Sequence, residues 1–143
     1  SDYIVPGEQP VVAELGEWTM GLSICYDLRF PSLYQRLVTL GSNILTVPAA
    51  FTEFTGKDHW LALLRARAIE NQCYVVGVNR IGLDGNNVEY CGDSLVVDYE
   101  GGLVADLQDR DVVQNVVISR SDMLAYQDGF PAWKDADEFD LTI

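Results

Sequence analysis

Cys25 stands at the end of a mostly apolar run, residues 18–25 (WTMGLSIC), and a short polar segment follows it. If that run is a buried strand, the thiol sits at its C-terminal tip, where α/β sheets dock their ligands. The backbone N–H of Tyr26 can then point at an oxyanion developing on a carbonyl attacked by the sulfur. An ordinary cysteine thiol titrates near 8.5 and is only a few per cent thiolate at neutral pH, so a nucleophile here needs a base. Free thiols are also among the most buried side chains, and a packed, inert Cys25 is the competing reading.

The partners for such chemistry are few. His59 is the one histidine, and with Cys25 it permits a Cys–His dyad, although no third group to orient it is evident and a helix-start or packing role suits it equally. Arg29 lies four residues after the thiol. It can grip a substrate carboxylate through its two-pronged guanidinium or pair structurally with Asp27, and both readings stand. Glu53 reads as a solvated loop charge. Glu70, three residues after Arg67, suits a helix salt bridge. Cys73 and Cys91 read as small apolar fillers.

Three cysteines without a close pair give neither a disulfide framework nor a zinc site. Reduced thiols of a cytoplasmic protein are the expectation. Net charge is −13 over 143 residues, which repels a phosphate backbone and disfavours anionic lipid, so neither nucleic acid nor membrane is an expected partner. With 48% hydrophobic and 22% charged residues, the composition is that of a globular chain. The first ten residues have neither the basic region nor the apolar core of a signal peptide. They also lack a clear first element, as if the chain continued upstream.

The elements that must position Cys25 follow from periodicity and breakers. Short strands are expected at residues 11–15, 18–25, 43–47 (ending at Pro48), 73–79 and 112–118. A hairpin is expected from residues 95–99 and 103–107 around Glu100-Gly101-Gly102. Helices are expected from Pro31 to Gly41, from about His59 to Asn71 with Asp58 as cap, and from Ser121 to about Gln127. Trp60, Leu63, Leu64 and Ala68 mark the long helix's apolar stripe, with Arg65 and Arg67 on other faces. Residues 49–57 read as a loop and 82–87 as a turn. Strands separated by helices imply an α/β fold with a parallel sheet, and the later hairpin adds antiparallel strands at one edge.

The segment GLSICYDLRFP (residues 21–31) resembles the nucleophile motif of the nitrilase superfamily, the carbon–nitrogen hydrolases. HWLALLRARAIENQCY (59–74) is similar to that family's helix after the active-site loop. NRIGLDGNNVEYCGDS (79–94) and FPAWKDADEF (130–139) look closest to bacterial omega-amidases. The resemblance implies that residues 1–143 are the C-terminal half of a four-layer α-β-β-α sandwich with a mixed sheet, in a homo-oligomer, expected to be a dimer. Phe130, Trp133 and Phe139 would suit the dimer contact, and would equally suit capping their own domain. It also implies a Glu–Lys–Cys triad whose cysteine is Cys25 and whose glutamate and lysine lie upstream of this chain. The substrate would be a small amide, with Tyr26, Arg29 and Phe51 as substrate-binding residues, Phe51 opening a loop folded over the substrate, although ordinary packing suits a phenylalanine there at least as well. The implied reaction releases ammonia from a 2-oxo dicarboxylic acid monoamide through a cysteine thioester and calls for no metal and no organic cofactor. On that reading the chain alone is nearly inactive. The alternative is a non-catalytic fragment that acts by association through the sheet face its other half would cover.

Overall fold

The computed structural model describes residues 5–137. Its centre is a six-stranded mixed sheet of order β1-β2-β3-β4-β7-β8. β1 (Val11–Leu15) and β2 (Trp18–Leu22) form an antiparallel hairpin turned at Gly16, whose φ of 61° suits glycine. β3 (Ile44–Ala49) lies parallel to β2, and β4 (Tyr74–Asn79) parallel to β3. β7 (Leu95–Val97) and β8 (Leu103–Asp106) complete the sheet in antiparallel fashion, joined by the expected turn. The Asp98 carboxylate accepts from the amides of Glu100 (2.9 Å) and Gly102 (2.8 Å) there. The α/β expectation therefore holds, with the parallel strands at the centre.

α1 (Pro31–Thr39) and α2 (Glu53–Asn71) cover one face of this sheet. The sheet makes room for them with glycine. A Cβ on Gly77 would lie 2.6 Å from Leu64 and 2.8 Å from Trp60 on α2, and one on Gly21 would lie 3.1 Å from Leu37 on α1. Leu37, Leu45, Val47, Trp60, Leu64 and Val75 are the fully buried centre of the resulting core. Registers place Leu22, Thr46, Pro48, Val76 and Val78 together on the opposite face, where Leu22, Pro48 and Val78 are exposed. The other end of that face carries an aromatic chain, Trp18–Tyr74–Tyr99–Tyr126, with ring centroids 5.2–5.9 Å apart, and α3 (Arg120–Gly129) contributes Tyr126.

Several boundaries differ from those expected. The second strand ends at Leu22, and Cys25 opens a 3-10 turn, Cys25–Arg29, rather than ending a strand. β3 runs through Pro48. The Thr46 carbonyl accepts from Ser23 N on the β2 side, so Pro48, two residues on, presents its hydrogen-free nitrogen to the same side, past the last rung at Leu22–Thr46. α2 begins at Glu53, not His59, which removes most of the expected loop. Gly56, read as a loop residue, is a buried helical position where a Cβ would lie 2.5 Å from Cys91 Sγ. Thr52, not Asp58, precedes the first turn.

The turn at 82–87 is present but joins two short strands, β5 (Ile81–Leu83) and β6 (Glu89–Cys91). Residues 112–118 are not a strand among the described residues. Their alternation has no partner to pair with, and Val113 and Val117 are exposed while Val116 and Ile118 pack on the core. Ser119, not Ser121, caps α3, its Oγ accepting from Asp122 N at 3.3 Å. Phe130 and Trp133 are exposed as an interface role would need, and Phe139 lies outside the described residues.

Candidate functional site

The turn that opens with Cys25 is held from several sides. Ser23 anchors its start, with N and Oγ both donating to the Thr46 carbonyl, at 3.2 and 2.9 Å. The Ser23 hydroxyl also meets Tyr34 Oη at 2.8 Å. Burial is the main reason the Tyr34 hydroxyl is pushed up to about 12. Asp27 Oδ2 accepts from the Ile24 amide at 2.9 Å, while Asp27 N returns to the Ile24 carbonyl at 3.0 Å. Cys25 itself is half-buried, with φ of 46°. That left-handed conformation costs a non-glycine residue roughly 1–3 kcal/mol and marks a position its surroundings enforce. Among the described residues no acceptor bonds the Tyr26 amide, which leaves that N–H available beside the sulfur.

Above the turn, Arg29 lies between two rings, 5.7 Å from the Tyr26 centroid and 5.2 Å from that of Phe51. Its Nη1 is 3.2 Å from His59 Nδ1, so the geometry suits a neutral imidazole accepting there. The ion pair with Asp27 is not formed: among the described residues the salt bridges are Lys57–Glu53 and Arg67–Glu70. Asp27 is engaged with the Ile24 amide instead. Arg29 thus reaches the rim of the site with no carboxylate partner, in a strongly acidic chain.

Phe51 is 4% exposed. Its ring packs on Trp60 at 5.0 Å, and its backbone is fixed by the Asn79 carboxamide, which accepts from Phe51 N (2.8 Å) and donates to its carbonyl (3.3 Å). It serves the core and the bed of Arg29 at once.

The structure therefore gathers Tyr26, Phe51 and His59 around the Arg29 guanidinium, with Cys25 opening the same 3-10 turn that Arg29 closes. No hydrogen bond links His59 to Cys25 among the described residues, and the Cys–His dyad has no support from this geometry. Glu70 forms the expected pair with Arg67 at 3.0 Å. Glu53 is not a loop charge but a first-turn residue of α2 paired with Lys57. Cys73 is buried, and burial pushes its thiol far up. Cys91 is half-buried and raised mainly by desolvation.

The sequence reading missed Arg67 and Asn79. Arg67 is buried, not on another face. It lies three residues after Leu64 and seven after Trp60, and that helical spacing places it on the apolar stripe. Asn79, at the end of an apolar strand, carried no comparable signal.

A cavity of about 790 Å³ beside the β5–β6 hairpin is lined by Glu53, Lys57, Glu89, Tyr90, Asp93 and Asp106 among others, and by no residue of the Cys25 turn. Burial, followed by the charges of Asp106 and Glu53, raises the Asp93 carboxyl. No three His, Cys, Asp or Glu side chains among the described residues stand close enough to hold a metal ion.

Comparison with known proteins gives the family of the chain. The carbon-nitrogen hydrolase family model matches residues 1–127. The chain is 39% identical over 131 residues to a deaminated glutathione amidase of Yersinia enterocolitica, a match covering 92% of this chain and 46% of that protein. It is 40% identical over 136 residues to the omega-amidase YafV of Escherichia coli, covering 94% of this chain and 52% of that one. Among solved structures, XC1258 from Xanthomonas campestris, a CN-hydrolase superfamily protein with an arsenic adduct in its active site, superposes with a TM-score of 0.86. It is 33% identical, and the match covers 96% of this chain and 54% of that one. The chain thus spans about half the length of the relatives it matches. On the extent of the family match and the shared mixed-sheet fold, this chain belongs to the carbon–nitrogen hydrolases of the nitrilase superfamily.

Proposed function

We propose that Cys25 is the nucleophile of an amidase and that its substrate is a small amide carrying a carboxylate at the far end. The observation that carries this reading is the strained cysteine turn beside an arginine without a carboxylate partner. The Cys25 thiolate attacks the amide carbon, the Tyr26 amide helps hold the resulting oxyanion, and the C–N bond breaks as ammonia leaves with a proton. Water then cleaves the thioester and the carboxylic acid departs. Arg29 holds the distant carboxylate through paired hydrogen bonds. The 2-oxo dicarboxylic acid monoamides fit this pattern, and the likeness to an omega-amidase supports them.

Within the described residues neither a carboxylate nor an imidazole bonds Cys25, so the base must come from elsewhere. The glutamate and lysine implied by the family resemblance belong to the half that the longer relatives carry and this chain does not. General acid–base catalysis is worth roughly 10²–10⁴-fold, and on this reading the 143-residue chain alone turns over very slowly. Assay of the full-length protein, upstream half included, with 2-oxoglutaramate should show ammonia release that Cys25→Ala abolishes. Full activity in Cys25→Ala sinks the reading. A second reading, association without catalysis, draws on the exposed sheet face at Leu22, Pro48 and Val78. It predicts a stable complex with a partner chain and no turnover in any length of protein.

A further inference from the structure

A non-glycine residue stays in the left-handed region only where its neighbours over-determine it. Upstream of Cys25 the Ser23–Thr46–Tyr34 cluster does this. Downstream, the restraint comes from α2. Arg67 directs both Nε (3.2 Å) and Nη2 (2.8 Å) at one acceptor, the carbonyl of Leu28, inside the 3-10 turn and three residues after the thiol. The guanidinium lies over the Tyr34 ring at 5.4 Å, and Nη1 reaches Glu70 at 3.0 Å. Ring and carbonyl therefore fix its plane together.

Arg67 is 4% exposed, whereas the Glu70 side chain is 43% exposed. A buried cation with a half-exposed counter-ion is an expensive way to gain stability, and an apolar residue would fill the stripe as well. What only a planar, forked donor supplies is a fixed orientation of the Leu28 peptide.

We propose that Arg67 is a positioning residue for the Cys25 nucleophile. By clamping Leu28 against α2 it holds the turn so that the sulfur and the Tyr26 amide keep one geometry. The proposal rests on the reading of Cys25 as nucleophile. Arg67 touches neither sulfur nor substrate and acts through the backbone alone.

The test uses the full-length protein, upstream half included, with two measurements. In Arg67→Met, the amides of Ile24, Asp27 and Phe30 should exchange with solvent roughly tenfold faster or more, the worth of a charged hydrogen bond, while those of β3 and β4 keep their rates. With 2-oxoglutaramate, kcat should fall up to about 100-fold, as misplacement of a reacting group does, with KM unchanged. Arg67→Lys, which keeps charge and one donor, should recover part of both. Glu70→Gln should change neither, since Glu70 meets only the outer nitrogen. Unchanged exchange at residues 24–30, equal acceleration in β3 and β4, or a loss confined to KM overturns the proposal. If the wild type hydrolyses no amide, the functional reading falls, and the exchange measurement still decides the clamp. Should Arg67→Met not fold, Arg67→Lys decides on the same two readings.

Discussion

The floor beneath Cys25 and the rim around it are built by different rules. Below the turn, Ser23, Leu28, Tyr34 and Arg67 are all buried and joined by hydrogen bonds of 2.8–3.2 Å. Above it, Tyr26 is 65% exposed, Phe30, whose ring meets it at 5.6 Å, is 50% exposed, and His59 is exposed as well. The floor is satisfied internally, as buried polar groups must be. The rim keeps a guanidinium with no carboxylate partner among the described residues and exposed aromatic rings, groups that gain most from meeting something else. On the proposed reading, one half of the site fixes where the sulfur is, and the other is left open to a substrate. The contrast separates stability from function along a line of a few residues, and substitutions on either side should give opposite signatures.

The largest effect belongs to the floor. Trp60 is buried, holds the Phe51 ring at 5.0 Å and donates Nε1 to the Asp93 carbonyl at 2.7 Å. Trp60→Ala should cost about 3–5 kcal/mol in urea unfolding, because the cavity opens against Gly77 and two helix turns. A loss below about 1 kcal/mol, the range of ordinary surface changes, would mean the floor is not the rigid element described.

Alkaline pH probes the same floor through Tyr34. Its folded value of about 12 lies above the ordinary tyrosine value of 10.0. The neutral hydroxyl is therefore favoured in the fold, its contribution is fully present below pH 10, and it is lost as pH rises from 10 toward 12. The shift corresponds to roughly 2–3 kcal/mol. The Cys73 thiol, raised by burial, acts in the same direction. Tyr34→Phe should reduce the fall of the unfolding free energy over that window and leave the parts that come from Cys73, Cys91 and the raised phenols of Tyr90 and Tyr99. An equally steep decline in the variant would remove Tyr34 as its source.

At the rim, Arg29→Lys should leave stability unchanged and raise KM about tenfold for an amide bearing a carboxylate, the worth of one charge-assisted hydrogen bond. KM for a neutral amide of the same length should not move. Equal effects on both substrates would show that Arg29 shapes the rim without reading charge.

How much of this was visible beforehand depended on the range of the information. Local patterns located the core strands, α1 with its opening Pro31, and the 98–102 turn, because apolar runs and breakers act over a few residues. They placed the start of α2 at His59 rather than Glu53, because Gly56 carries the signature of a loop while serving a close approach to Cys91. They gave residues 112–118 a strand, because alternation says nothing about whether a partner is present. GLSICYDLRFP singles out Cys25 as a candidate, yet that string carries no mark of its left-handed turn, since the groups that bond the segment on either side, Thr46 and Arg67, lie far off in sequence. The Arg29–His59 contact joins residues thirty apart in sequence and leaves no trace in either neighbourhood.

That contact also carries the smallest predicted effect and the sharpest test of the rim. A catalytic imidazole would have to accept the Cys25 proton, and its removal would cost roughly 10²–10⁴-fold in kcat. In this structure His59 Nδ1 faces the Arg29 guanidinium instead, 3.2 Å away. Glutamine presents a carbonyl oxygen that can accept the same bond. His59→Gln should therefore hold kcat within about twofold, a change too small for a lost proton acceptor, and change KM only slightly. The pH profile should likewise keep its shape. Substitution by leucine, which cannot accept, should loosen Arg29 and raise KM for the acidic amide while sparing kcat. A hundredfold fall in kcat for His59→Gln would move the imidazole from the rim to the chemistry and restore the Cys–His dyad.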